Sequence, residues 1–149
     1  MNALATAPIT GGCQCGAVRY ALAEPLQHMH FCHCRMCQRA VGGPFAALGS
    51  VPRTALHWTR GTPSFFASSS VAHRGFCAAC GTPLSFAYTH SRRINVTLCS
   101  LDDPSAFAPA QHFGIESQQP WLHLADDWPR EATGDAEWLK TMTTHQKQE

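Results

Sequence analysis

The sequence predicts a mainly β domain of antiparallel sheets with metal-binding knuckles at its turns. Three observations carry that expectation. Ten prolines and eleven glycines are spread along 149 residues and cut the chain into short pieces. Short apolar or alternating runs recur at intervals of roughly 8–12 residues, as strands joined by turns do. Of eight cysteines, all but Cys99 fall in close groups: Cys13 with Cys15, Cys32 with Cys34 and Cys37, Cys77 with Cys80.

The strands follow in order. AVRYALA (17–23) alternates and places Val18, Tyr20 and Leu22 on one face. PFAALGSV (44–51), ALHWTR (55–60), PSFFASSS (63–70), VAHRGF (71–76), PLSFAY (83–88), RINVTLCSL (93–101) and QHFGI (111–115) complete the set. Helix signals are sparse. CRMCQRAV (34–41) is expected to make one or two turns around the third cysteine of its group. DDPSAF (102–107) reads as a turn or short helix with Asp103 as N-cap and Pro104 at the first position. GDAEWLKTMTTH (134–145) reads as a terminal amphipathic helix. Trp58, Phe65, Phe66, Phe76, Phe86 and Trp121 read most simply as core, one or two of them beside a pocket.

A chain of this length fits one domain, residues 1–149, and can bury a core without obligatory cross-links. Hydrophobic residues make up 44% and charged residues 14%, a globular composition. The net charge is +1, with no polybasic stretch, so nucleic acid is not an expected partner. The start, MNALATAPITGG, lacks a basic segment followed by an apolar run, so neither a signal peptide nor a membrane span is expected. That predicts a cytoplasmic protein with reduced thiols, where grouped cysteines bind metal or do redox chemistry rather than form disulfides.

GGCQCGAV (11–18) and FCAACGTPL (76–84) each place a glycine directly after the last cysteine, Gly16 and Gly81. A cysteine knuckle turns its backbone N–H groups toward the thiolates and asks for positive φ at the following residue, which glycine adopts without steric cost. Cys13, Cys15, Cys77 and Cys80 together supply a complete tetrahedral shell for structural zinc. A redox CxxC would instead require a βαβ setting, which the pattern lacks.

HFCHCRMCQR (30–39) offers three thiols, Cys32, Cys34 and Cys37, one short of a closed shell. Three readings stand. His28, His30 or His33 closes the site; a distant residue such as Cys99 or His112 closes it; or the fourth position is open, as catalytic zinc requires. An iron–sulfur cluster would need a fourth ligand such as Cys99. Divalent zinc on three thiolates carries a formal charge of −1. That makes it a weak activator of water and a soft site suited to a substrate thiol. Arg35 and Arg39 are candidates to offset the added negative charge, or else ordinary surface residues. His33 would orient its neighbours by hydrogen bonding or face solvent, and His112 is either core or at the border of a pocket. Asp102 and Asp103 read as turn-capping residues.

The ordered set GGCQCGAVRY, CHCRMC, RGFCAACGTPLSF, VTLCSLDDP, then a histidine followed by PW, resembles the glutathione-dependent formaldehyde-activating (GFA) family, which includes the centromere-protein-V type. The resemblance covers a core of about residues 10–130, leaving 131–149 as a C-terminal extension. It implies a β-tent, Mss4-like fold with two zinc ions. Cys13, Cys15, Cys77 and Cys80 would hold the structural zinc, and Cys32, Cys34 and Cys37 the catalytic one with an open fourth position. The implied activity is that of a carbon–sulfur lyase, S-hydroxymethylglutathione synthase-like. Its partners would be a small thiol, with glutathione as possible co-substrate, and a small carbonyl compound. The alternative is a non-catalytic module with both metals structural, docking a protein partner. Cys99 departs from the family, which commonly has glycine there. It is expected to be a small buried hydrophobe, with a reach to the second zinc or a redox pair as the other roles.

Overall fold

The computed structural model describes residues 7–146. The first six residues of the N-terminal stretch and the last three of the C-terminal extension lie outside the described residues. Strands β1 (Ile9–Gly12), β2 (Arg19–Leu22), β3 (Gln27–Cys32), β4 (Ala46–Pro52), β5 (Leu56–Arg60), β6 (Ser64–Ala67), β7 (Ala72–Phe76), β8 (Pro83–Tyr88), β9 (Arg93–Thr97), β10 (His112–Phe113) and β11 (Arg130–Glu131) surround one helix, α1 (Arg35–Val41).

They form two sheets. The smaller runs β1-β2-β5 and the larger β11-β10-β3-β4-β9-β8-β7-β6. Pairing is antiparallel except at β10, which runs parallel to both β3 and β11. The fold is therefore mainly β, as the strand spacing predicts, with this one mixed edge.

The alternation read in β2 holds, since Val18, Tyr20 and Leu22 are all buried. They join Leu26, Val51, Leu84, Val96 and Leu98 in the main core. Tyr20 stays satisfied there because its hydroxyl meets Ser100 Oγ at 2.7 Å. A smaller cluster of Cys32, Cys37, Ala46 and Leu48 packs on the other side of β3 and β4.

Several expectations are corrected. Residues 134–145 form no continuous helix. They make 3₁₀ turns at Thr133–Asp135 and Glu137–Leu139, and then Thr144 pairs with Ser69 in an isolated antiparallel bridge. The threonines at 141, 143 and 144 are stiff β-branched residues, and the edge beyond β6 offers them backbone partners that a helix would not. Ser70 N–H donates to Thr143 O at 2.8 Å and His145 N–H to Ser68 O at 2.9 Å. Phe65, Phe66 and Trp121 are not core but exposed, each by about half or more of its surface (52%, 51% and 65%). Cys99 is exposed too, on the 3₁₀ turn Leu98–Ser100 whose leucine takes the buried position.

The short helices at 34–41 and 102–107 stand as predicted. Asp103 caps the 3₁₀ turn Pro104–Ala106 by accepting from Ser105 N–H at 3.2 Å.

Candidate metal centres

The turn between β1 and β2 carries Cys13 and Cys15, and the turn between β7 and β8 carries Cys77 and Cys80. All four Sγ atoms lie within 4.8 Å of one another. Cys13 Sγ is 3.6 Å from Cys15 Sγ, which is 3.8 Å from Cys77 Sγ. A disulfide would need about 2.05 Å. A tetrahedron with Zn–S bonds of about 2.3 Å has edges of about 3.8 Å, so the donor set fits zinc.

The backbone reads as two matching knuckles. Gly16 and Gly81 have φ of +78° and +79°, as the two motifs predict. Their N–H groups donate to Cys13 O and Cys77 O. Val18 N–H donates to Cys13 Sγ at 3.2 Å, and Cys80 Sγ meets Thr82 Oγ1 at 3.2 Å. The Thr82 hydroxyl and backbone hold the Cys80 thiol down at about 5, the ionised form a metal needs.

Cys32 ends β3, Cys34 caps α1, and Cys37 lies in its first turn. Their three Sγ atoms also lie within 4.8 Å of one another, and among the described residues no fourth His, Cys, Asp or Glu joins them. None of His28, His30, His33, His112 and Cys99 has a ligand atom within 4.8 Å of all three sulfurs. Cys34 Sγ accepts from Cys37 N–H at 3.4 Å, which is both a helix cap and a knuckle hydrogen bond.

An arginine from a distant strand, Arg74 of β7, reaches this centre. Its Nη2 donates to Cys37 Sγ at 3.4 Å, and its guanidinium lies 4.7 Å from the centre of the Phe86 ring. Hydrogen bonds from Cys32 and Cys34, helped by the Arg74 charge, push the Cys37 thiol well below its ordinary value. Cys32 is pushed well above it, chiefly by its hydrogen bond with Cys34.

A buried relay stands behind the triplet. His33 Nε2 lies 2.8 Å from His112 Nδ1, and His112 Nε2 lies 3.0 Å from Asp126 Oδ1. Both rings are fully buried. The carboxylate accepts from His112 Nε2–H, and His112 Nδ1 faces His33 Nε2. Burial, then the neighbouring His112, lowers the basicity of His33. Burial works against ionisation of Asp126, yet His112, the Trp128 N–H and Arg130 hold its carboxyl below the usual range. Gln38 Nε2 donates to His33 O at 2.6 Å and to Ser117 O at 2.8 Å, fixing the cysteine loop to the C-terminal half.

The triplet opens on a cavity of about 90 Å³. Leu48, Phe86, Tyr88, Phe113, Leu139 and Met142 give it a largely apolar wall. His30, Arg74, Ser68, Ser69, Asn95 and Thr133 supply its polar groups. Arg74 opens the RGFCAACGTPLSF motif but was not singled out there, and Asp126 and the serines of 68–70 carry no local motif. His33 and His112 were visible as candidates, but their pairing was not.

Residues 8–117 match the sequence profile of the family described as glutathione-dependent formaldehyde-activating enzyme. The chain belongs to the GFA family. A Schizosaccharomyces pombe protein named an uncharacterized lyase is 33% identical over 82 residues, 55% of this chain and 59% of that protein. A Halomonas elongata protein provisionally named a glutathione-dependent formaldehyde-activating enzyme is 24% identical over 126 residues, 78% of this chain and 80% of its own. The crystal structure of a Rhodobacter sphaeroides protein shares the fold, with a TM-score of 0.57 and 21% identity over 70% of this chain and 99% of that one. GFA membership and these names agree on lyase-type, glutathione-related chemistry. No helix among the described residues is long and apolar enough to cross a membrane.

Proposed function

We propose that this GFA-family chain is a zinc-dependent carbon–sulfur lyase that joins a small thiol such as glutathione to a small carbonyl compound such as formaldehyde, or cleaves the adduct. One observation carries the reading: three thiols, with no fourth His, Cys, Asp or Glu beside them among the described residues, face a largely apolar cavity that also contains an arginine. Cys13, Cys15, Cys77 and Cys80 hold the structural zinc, and Cys32, Cys34 and Cys37 the catalytic one. Zinc on the triplet would supply a soft fourth position that favours a bound thiol in its ionised form.

The chain's own residues prepare the place. Arg74 puts a positive charge against Cys37 and offsets the negative charge of the thiol set. The apolar wall excludes water, which strengthens that attraction and protects a reactive carbonyl from hydration. The Asp126–His112–His33 relay and Gln38 hold the cysteine loop in register with the cavity. The cavity takes a few non-hydrogen atoms, against roughly 300–1,000 Å³ for drug-sized ligands, so only the thiol arm of a tripeptide enters.

The test is exchange NMR of glutathione with ¹³C-formaldehyde, with and without the zinc-loaded protein. The reading expects adduct formation above the spontaneous rate. It also expects the acceleration to vanish in Cys34→Ser while the four-thiol metal stays bound. Two bound zinc ions with no acceleration for any thiol–aldehyde pair would return the chain to the rival reading, a docking module with two structural metals.

A further inference from the structure

Three buried polar atoms around the cavity have no hydrogen-bond partner: Arg74 Nε, Ser68 Oγ and Thr133 Oγ1. Ser68 is 4% exposed, and all three residues line the same cavity as Cys32, Cys34 and Cys37. Leaving such a group buried and unpaired is costly, so three on residues that line one cavity point to a ligand acceptor that the cavity would take. Each of the three is a donor.

They come from separate parts of the chain: Arg74 from β7, Ser68 from the turn after β6, Thr133 from beyond the family-matched stretch 8–117. Arg74 is held at both faces of its role, since Nη2 is committed to Cys37 Sγ and the guanidinium rests on Phe86. The Nε–H direction is thereby fixed rather than mobile.

We infer that Arg74 Nε–H, Ser68 O–H and Thr133 O–H form an oxyanion site that receives the carbonyl oxygen of a small, uncharged aldehyde. The inference rests on the thiol–carbonyl reading above for the identity of the step. As sulfur adds, the C–S bond forms and the C=O π pair moves onto oxygen. The three donors receive that charge, and the proton released by the thiol ends on the oxygen. Nothing is oxidised or reduced. Charge selects the uncharged substrate. Divalent zinc with three thiolates and Arg74 sums to zero, and a substrate thiolate brings the cavity to −1. A carboxylate on the aldehyde would bring it to −2 between apolar walls.

A side chain of the protein itself could compete for these donors. Gln146 Oε1 is also buried without a partner and lines an adjoining cavity with Arg74 and Ser68.

The experiment follows the Arg74 Nε–H resonance of the zinc-loaded, ¹⁵N-labelled full chain, identified by its loss in Arg74→Lys. Acetamide serves as an unreactive carbonyl probe. The expected result is a saturable downfield shift of that proton. In the double variant Ser68→Ala, Thr133→Val, the shift should need at least about five-fold more acetamide, and kcat/KM for adduct formation should fall about 10²-fold or more, as loss of oxyanion donors does. No shift in the wild type, or a shift and a rate that the double variant leaves unchanged, overturns the inference. A resonance that moves in Gln146→Ala and ignores acetamide also overturns it, since Gln146 is then the partner. Acetamide bound at Arg74 without any adduct formation would remove the lyase reading and leave the oxyanion site standing. Adduct formation without the acetamide shift would do the reverse.

Discussion

The two cysteine clusters have the same donor atom and similar spacing between sulfurs, yet they sit differently in the chain. The four-thiol cluster joins turns in two separate sheets, with Cys15 and Cys77 separated by 62 positions. The triplet spans one β-strand end and one helical turn. A metal in the first closes a long loop and ties sheet to sheet. A metal in the second would close almost none of the chain, so its binding energy would add little to the fold. Ligand type alone does not distinguish the two clusters; the length of chain each bridges and the cavity beside the triplet do.

Substitutions can break this contrast. The largest effect is expected for Cys77→Ser. Structural zinc contributes about 10–16 kcal/mol of apparent binding energy in finger peptides, against a net stability of about 5–15 kcal/mol for a domain. Loss of soluble folded protein is expected, read by yield and far-UV circular dichroism. A folded C77S protein with an unchanged Tm would erase the distinction.

Cys34→Ser should instead remove one metal equivalent, keep the other, shift Tm by less than about 5 °C and abolish adduct formation. Metal analysis beside calorimetry checks it, and unfolding as severe as that of C77S would count against the catalytic assignment.

His112→Ala sharpens the comparison, because it acts on one centre only. It leaves Asp126 and His33 without their shared partner, at a cost of about 1–3 kcal/mol. Chelator competition should show the triplet's metal held about 10–100-fold more weakly, with the four-thiol metal unaffected.

The smallest effect belongs to the surface pair of Arg19 and Asp102 near the four-thiol side. Hydrogen bonds from Arg19, then Thr10, hold the Asp102 carboxyl at about 2. A depressed carboxyl contributes stability that is complete above its unfolded value of 3.8 and is lost as pH falls through about 2. Both groups are substantially exposed, so Asp102→Asn should cost less than about 1 kcal/mol. The Tm difference from wild type should be flat between pH 5 and 8. A difference that varies across that range would implicate another group.

Much of this was readable from local sequence. Cys13, Cys15, Cys77 and Cys80 announce themselves because a knuckle is made by neighbouring residues, and Gly16 and Gly81 take the positive φ that their position asks for. β2 and β8 were legible from their apolar patterning. β3 was not. QHMHFC has no clean alternation, and its place is set by β4 on one side and β10 on the other. The C-terminal helix was expected from amphipathic spacing, but pairing with residues 68–70 overrode it. The charge partner of the triplet was sought next door, at Arg35 and Arg39, whereas Arg74 arrives from 37 positions away. Chemistry carried by long-range contacts leaves no trace in a short window.

The tail from Thr133 to His145 closes the cavity with Leu139 and Met142, hydrogen-bonds to residues 67–70, and lies past the stretch that matches the family profile. Part of the cavity wall is thus built from residues outside the stretch that carries both cysteine clusters. Exchange of this tail would retailor what the cavity admits while every cysteine of both clusters stays in place.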